Sequence, residues 1–388
     1  MSPVGAIIPA AGLSSRLSGF KPLLPLGDQV AVERLVEMFK AAGIGPVCIV
    51  CGHRAQELEP VVRAAGAVPV INPDFRRGMF SSVQAGVREL DSRCQAFFLL
   101  PVDVMLVRPD TLRRLLLARE RDPGRVLHPV FKARRGHPPL IPANLKDEIL
   151  AWQGRGGLAG YLAEHESTAP GAALEVPVAD EFIHFDVDTD QDYEQALSRL
   201  ENYDLPSRAE CLALLDIEPN VNEMGRRHSK AVAGVAQQIA RALNISRSPG
   251  RHLNPRLVEA AGLLHDIAKG FDHHEQEGGR MLSEMGYERV GRVVAAHRDI
   301  DPHENEPVAE RAVVYFADKL VRGDRLVSVE ERFKAKMDEY EHVPGAVEAI
   351  RGRMVRALKV KAMIEAEIGA PLDAVVRGDV LPETGGGR

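Results

Sequence analysis

Residues 263–276 read LLHDIAKGFDHHEQ. His265 and Asp266 stand side by side in a run that is otherwise apolar, as in a buried helix. An ionised aspartate buried alone is strongly destabilising, so it needs a partner, and a metal ion is the strongest one. On a helix the two side chains point about 100° apart, and both can reach one ion set between them. Two ligands do not complete a site. His228, in EMGRRHSKAVAGVAQ, shares a helical face with Met224, Val232 and Val235. Asp318, in AVVYFADKLVRG, is again a charge within an apolar helix. Taken singly, His228 reads as a hydrogen-bonded core histidine and Asp318 as a paired structural carboxylate. Taken together, the order H…HD…D across three apolar helices reads as a metal site. His273 reads as a surface histidine. Lys269, one turn after His265, either meets a phosphate oxygen or offsets the dipole at its helix C-terminus. Arg322 and Arg325 are weaker phosphate candidates.

A second stretch with chemistry in it opens the chain. In AIIPAAGLSSRLSGFK a β-strand runs into Ala11-Gly12 and a polar turn. Small residues let backbone N–H groups approach an anion closely. Arg16 and Lys21 are spaced to add positive charge to the same anion. The loop is neither the dinucleotide pattern G-x-G-x-x-G nor a P-loop, because G-K-[ST] is absent.

The elements that position these residues fall into two halves. Up to about residue 200, short apolar runs (VGAIIPA, PVCIVCG, VPVIN, AFFLLPV) alternate with helical spacing (VAVERLVEMFKAAG, AQELEPVVRAAG, SSVQAGVREL). That rhythm implies a parallel sheet covered by helices on both faces. It closes near DVDTDQDYEQALSRL. Residues 202–207 are the linker expected between the halves. From 208 to 368 every periodic segment is helical and no strand is expected. Residues 369–388 form a tail whose end, PETGGGR, reads as disordered.

The bulk properties agree. A chain of 388 residues suggests two domains. A net charge of −6 without a block of Lys or Arg argues against nucleic acid as a partner. No stretch reaches the length of a membrane span, and the apolar start has no basic residue before it, unlike a signal peptide. The cysteines at 48, 51, 94 and 211 suit a reducing cytoplasm. Cys48 and Cys51 lie three apart on a strand and face opposite ways, so they share no metal.

Four segments of the first half resemble the molybdenum cofactor cytidylyltransferase-like nucleotidyltransferases, in order, over residues 4–197. The loop is similar to their L-A-A-G-x-S-x-R-M-G-x-x-K through Ala10, Ala11, Gly12, Ser14, Arg16 and Lys21. NPDFRRGMFSSVQAG, GHPPLIP and FDVDTDQDY resemble their later motifs. The resemblance implies a three-layer α/β fold with a mostly parallel, nucleotide-diphospho-sugar transferase-like (Rossmann-type) sheet. It implies nucleotide binding by the loop residues with Ser81, Ser82 and Asp103. Ligands of such sheets bind at the carboxyl ends of strands. Asp103, after AFFLLPV, is placed there to hold Mg²⁺ against the phosphates of a nucleoside triphosphate. Asp186 and Asp188 are candidates for a second metal contact. A plainer reading makes Asp103 a turn residue and Asp186/Asp188 a helix-capping cluster. A-A-G in place of A-G-G points to CTP. The implied acceptor is a phosphorylated cofactor such as molybdopterin, and the implied partner a molybdoenzyme maturation system. The family's L-x-D-Q-P is altered here to PVDVM, with Val104 and Met105 in place of Gln and Pro, which puts the acceptor in question. A sugar 1-phosphate or phosphocholine-like acceptor is the alternative.

The second half resembles the HD-domain metal-dependent phosphohydrolases over about residues 207–365, through LLHDIAKG, HHEQEGGRML, VVAAH and FADKLV. The resemblance carries the metal ligands onto His228, His265, Asp266 and Asp318, and gives His274 and His297 to a second metal or a substrate phosphate. Such ligands suit Mn²⁺, Fe²⁺ or Zn²⁺. The implied reaction is phosphoester hydrolysis, with Asp266 and Lys269 in the catalytic site. A regulatory, nucleotide-binding HD half without turnover is the alternative. A tRNA-type nucleotidyltransferase also joins such domains, but the basic surface it needs is lacking. The fusion suggests that the two halves act on related phosphorylated compounds.

Overall fold

The computed structural model describes residues 3–303 and 306–376. The PETGGGR end lies outside them. The chain divides into two units, one ending at Tyr203 and one beginning at Asp204.

The first unit is built on one sheet. β1 (Val4–Pro9) and β4 (Val47–Cys51) are buried at every position, as expected for strands covered on both faces. A small hairpin, β2 (Pro25–Leu26) with β3 (Gln29–Val30), lies apart from it. β5 (Val68–Ile71), β6 (Ala96–Leu99), β7 (Val126–Phe131), β9 (Leu140–Pro142) and β10 (Ala173–Pro177) complete the order β10-β7-β9-β6-β1-β4-β5, and β8 (Arg134–Arg135) pairs with β7. All neighbours are parallel except β9 against β6 and β7, and β8 against β7. The sheet is therefore mostly parallel.

The side-chain period of two divides the core. Ile8, Phe98 and Cys51 pack on one face with Leu35 and Phe39, while Ile7, Phe97 and Cys48 pack on the other with Val83 and Tyr161. Each fully buried Ile or Phe contributes about 1.5–3 kcal/mol. The two cysteines of CIVC thus face opposite sides, as their spacing requires. α1 (Ala31–Ala41) presents Val32, Leu35, Val36 and Phe39 to the sheet at helical spacing. α2 (Ala55–Ala64), α3 (Met79–Arg88), α4 (Pro109–Arg121), α5 (Lys146–Ala151), α6 (Gly157–Thr168) and α7 (Asp190–Leu200) follow. α7 starts at a capping box in which Thr189 and Asp192 exchange side-chain-to-backbone bonds. This fixes Asp188 immediately before the helix.

The stretch read as a linker is not a free tether. Tyr203 stacks on Phe182 and donates its hydroxyl to Val107 O, so it belongs to the first unit. Asp204 ion-pairs with Arg289 in the second, and Ser207 caps the next helix. Aromatic and charged residues in a short connector found partners that composition alone does not show.

The second unit contains α8 (Arg208–Ile217), α9 (Glu223–Ser246), α10 (Pro255–Leu264), α11 (His274–Glu284), α12 (Glu288–Ala295), α13 (Glu310–Lys319), α14 (Val329–Glu339), α15 (Ala346–Ile368) and α16 (Leu372–Val376). Asn222 caps α9, and Asn254 caps α10 ahead of Pro255. α9 buries His228, Val232, Val235, Ile239 and Leu243 in one stripe. α10 lies so close to α9 that a Cβ on Gly262 would meet Ala233 Cα at 2.8 Å.

Three expectations need correction. The second half is not strand-free, because β11 (Val321–Arg322) pairs antiparallel with β12 (Arg325–Leu326). Its turn uses Gly323 at φ 64°, and two-residue strands are too short to show alternation. The supposed tail carries the short helix α16. Finally, α10 ends at Leu264 with His265 as its cap. Beyond it, Ile267 N–H bonds Leu264 O and Lys269 N–H bonds Asp266 O, which are tight three-residue turns. His265 and Asp266 therefore stand at the helix end and in the turns that follow it, not within the helix.

Candidate active sites

In the first unit, the loop after β1 meets the turn after β6 and the segment before α7. Ala10 and Ala11 are buried. The N–H groups of residues 11–14 donate to no protein acceptor among the described residues. Ser14 has φ 52°, and its Oγ accepts the Lys21 N–H at 3.1 Å. That bond closes the loop and aims Lys21 inward. Lys21 Nζ lies 2.8 Å from Asp188 Oδ1 and 3.3 Å from Asp103 Oδ2. Arg16 Nη2 reaches the other Asp188 oxygen at 2.8 Å. Asp190 accepts both the N–H and the hydroxyl of Ser18. The acidic segment is thus tied to the loop at three residues.

β6 ends at Leu99, and Asp103 follows in a turn. A cavity of about 310 Å³ is lined by Ala10, Ala11, Gly12, Ser14, Lys21, Ser82 and Asp103. Arg16, Ser81, Asp186 and Asp188 are not among its lining residues. Ser81 Oγ is engaged with Asp74 O, Gly78 O and the Asn72 amide. Burial, and then the charge of Asp103, raise the Asp186 pKa. His137 was not singled out from sequence, yet it faces these two carboxylates. Burial lowers its pKa against their pull, and its Nδ1 is buried without a partner. Only the G-H-P motif in the sequence pointed to it. Val104 and Met105, which depart from the family pattern, are core residues at 1% exposure each.

In the second unit, six side chains from five segments converge. His228 Nε2 lies 3.2 Å from Asp318 Oδ1 and 4.0 Å from Asp266 Oδ2. His265 Nε2 lies 3.7 Å from Asp266 Oδ2 and 3.9 Å from Asp318 Oδ1. On the other side of the same carboxylate, His274 Nε2 and His297 Nε2 lie 3.5 and 3.7 Å from Asp266 Oδ1. Two donor groups result, His228/His265/Asp266 and Asp266/His274/His297, joined by Asp266.

Three of the rings are fixed by backbone carbonyls. Nδ1 of His228, His265 and His297 sits 2.8, 2.9 and 2.7 Å from the carbonyls of Gly323, Gly262 and Val294. A carbonyl oxygen accepts, so each Nδ1 donates there and Nε2 is the ring nitrogen turned to the cluster. The β11–β12 hairpin supplies the Gly323 carbonyl. His265 Nε2 is buried with no hydrogen-bond partner, which is the condition of a ligand atom that faces a cation. Burial pushes the His265 pKa down to about 4 and also lowers that of His274. For Asp266, burial favours the neutral form, but His265, His297 and Lys269 outweigh it and hold the carboxyl well below its ordinary value. Burial of Asp318 is likewise outweighed, by Lys319, His228 and Arg332. Imidazole nitrogens together with ionised carboxylates form a donor set that fits a divalent transition metal. Lys269 Nζ is 2.6 Å from Asp266 Oδ2. His273, at φ 50°, precedes α11 and is exposed. Arg332 and Lys319, which bind Asp318 at 3.1 and 2.8 Å, carried no signal in the sequence.

The MobA-like NTP transferase domain matches residues 6–169, and the HD domain matches residues 225–323. The chain is 31% identical over 198 residues to a nicotine blue oxidoreductase of Paenarthrobacter nicotinovorans, covering 48% of this chain and 92% of that one. It is 29% identical over 142 residues to a molybdenum cofactor cytidylyltransferase of Escherichia coli (strain K12), covering 36% and 71%. Rv0371c from Mycobacterium tuberculosis H37Rv superposes at a TM-score of 0.43 with 25% identity, over 51% of this chain and 98% of that one. Through its first half the chain belongs to the MobA-like NTP transferases, and it joins that cytidylyltransferase-like domain to an HD domain, a type that is typically a metal-dependent phosphohydrolase.

Proposed function

We propose that the first half transfers a cytidylyl group from CTP to a phosphorylated cofactor such as molybdopterin. An acceptor phosphate oxygen bonds to the α-phosphorus, the bond to the bridging oxygen breaks, and pyrophosphate leaves. The free N–H groups of residues 11–14 face the phosphates, and Lys21 and Arg16 offset the charge that develops on pyrophosphate. Asp103, with Asp186 and Asp188, would hold Mg²⁺, which supplies Lewis-acid polarisation. Lys21 between Asp103 and Asp188 is the observation that carries this reading. The Ala10-Ala11-Gly12 sequence and the cytidylyltransferase relative support CTP.

The HD half hydrolyses a phosphoester. Water oxygen bonds to phosphorus, the bond to the leaving oxygen breaks, and a proton passes to that oxygen. His228, His265, Asp266 and Asp318 would hold one ion, and Asp266, His274 and His297 a second. When bound, Mn²⁺, Fe²⁺ or Zn²⁺ would polarise the phosphoryl group and lower the pKa of a water. Lys269 neutralises phosphate charge beside Asp266. The carboxylate shared by two imidazole groups carries this reading. Placement in the cytoplasm is supported by four buried free cysteines. Among the described residues no helix is long and apolar enough to cross a membrane.

A pyrophosphate-release screen of the four NTPs against phosphorylated acceptors tests the first half. Release dependent on CTP and molybdopterin is expected, and another NTP or acceptor would overturn the assignment. For the second half, Asp266→Ala should abolish p-nitrophenyl phosphate hydrolysis and leave pyrophosphate release intact. Full metal uptake with no phosphoester turnover by the unmutated chain would instead favour a regulatory HD half.

A further inference from the structure

The second unit holds more positive charge around its His–Asp cluster than its carboxylates can pair. A cavity of about 280 Å³ opens from the cluster, and its charged lining includes Lys269, Arg298, Lys319, Arg332, Lys336 and Arg353, set against only Asp266 and Asp318. Four of these cations already have partners: Lys269 on Asp266, Lys319 and Arg332 on Asp318, and Arg298 on Glu275 at 3.5 Å. Lys336 and Arg353 have no ion pair among the described residues. Burial, and then the like charges of Arg332, Lys319 and Arg353, push the Lys336 pKa down against the opposite pull of Asp318. Crowded, unpaired cations are unfavourable unless an anion joins them.

Their place in the chain matters as much as their charge. Lys336 is on α14 and Arg353 on α15, both beyond residue 323, where the HD match ends. Phe333 and Ile350, from the same two helices, add apolar lining to the cavity. One phosphoryl group at the His–Asp cluster would be met by a bound metal, Lys269 and Arg332, and would leave Lys336 and Arg353 without a counter-charge.

We infer that the HD half selects compounds carrying two phosphoryl groups, one seated at the His–Asp cluster and the second held by Lys336 and Arg353. This rests on the reading of the cluster as a phosphate site, and it adds a substrate class to that reading.

The test is binding by the full chain reconstituted with Mn²⁺. Orthophosphate and pyrophosphate are titrated calorimetrically. A His265→Ala chain, titrated in parallel, corrects for pyrophosphate taken up by the first half. Pyrophosphate should bind at least tenfold tighter than orthophosphate. The double variant Lys336→Gln/Arg353→Gln should lose that preference while its orthophosphate affinity stays within about threefold. Arg353→Lys, which keeps the charge, should retain most of the preference. Equal affinity of the two anions for the unmutated chain, or a preference that survives the double substitution, overturns the inference. Because the readout is binding, a chain that selects pyrophosphate in this way but hydrolyses no phosphoester refutes only the hydrolytic reading.

Discussion

Nε2 of His228, on α9, lies 3.2 Å from Oδ1 of Asp318, on α13. Asp318 also receives Arg332 and Lys319, so its carboxylate is the point where His228 and two cations balance. Asp318→Asn removes the negative charge and leaves those cations facing each other in a buried site. Breaking such a pair costs about 3–5 kcal/mol. The expected result is loss of at least one bound metal per chain by elemental analysis, with a lower melting temperature for the second unit. A variant that retains its full metal content would exclude Asp318 as a ligand.

Lys21 makes the corresponding link in the first unit. With 13% of its side chain exposed, and with Asp103 and Asp188 at 20% and 34%, the cluster is only partly buried. Removing the ammonium should therefore cost no more than about 1 kcal/mol of stability. Its effect on chemistry should be larger, because positive charge placed against a leaving pyrophosphate is typically worth about 10²–10³ in rate. Lys21→Met should lose pyrophosphate release by that factor while its melting temperature changes little. An unchanged rate would reduce Lys21 to a structural clamp.

What could be read from the sequence depended on the distance over which a signal acts. Strands buried on both faces and helices with a clear apolar stripe were legible, because β1 and α9 carry their patterns in consecutive residues. The cluster of His228, His265, Asp266 and Asp318 was legible because charged residues stood in apolar runs. The helix end at Leu264 was not, since Asp266 to Lys269 still read as helix and only the three-residue hydrogen bonds show the turn. His137, Arg332, Lys336 and Arg353 were missed for a different reason. Histidine and arginine in polar segments have many surface roles, and only folding brings these four to their carboxylates or to the cavity.

Two glycines should respond to substitution in opposite directions. A Cβ on Gly262 would stand 2.8 Å from Ala233 Cα, a backbone atom that cannot swing aside. Gly262→Ala should cost about 1–3 kcal/mol by overpacking. It should also weaken metal binding, because the Gly262 carbonyl orients His265. Gly234, inside α9, has nothing within 4 Å of its Cβ position. Gly234→Ala should therefore stabilise by about 0.5–1 kcal/mol through helix propensity. Thermal melts of the two variants check both signs. Similar shifts in the same direction would contradict the close approach of α9 and α10.

The cysteines give a prediction that needs no ligand. Cys48 and Cys51 are buried on opposite faces of β4, and burial pushes both thiols up to about 11. An ordinary thiol with a pKa near 8.5 is roughly a quarter thiolate at pH 8. A thiol at about 11 is about a thousandth thiolate there, so reactivity is suppressed by more than two orders of magnitude even before access is considered. Raising the pH from 7 to 9 should leave labelling of the native chain slow, because both values lie below the folded pKa. Labelling by a thiol-specific disulfide reagent should become fast and reach both residues only when denaturant unfolds the first unit. Fast labelling of either residue in the folded chain, identified by mass spectrometry, would show that β4 is not covered on both faces as described.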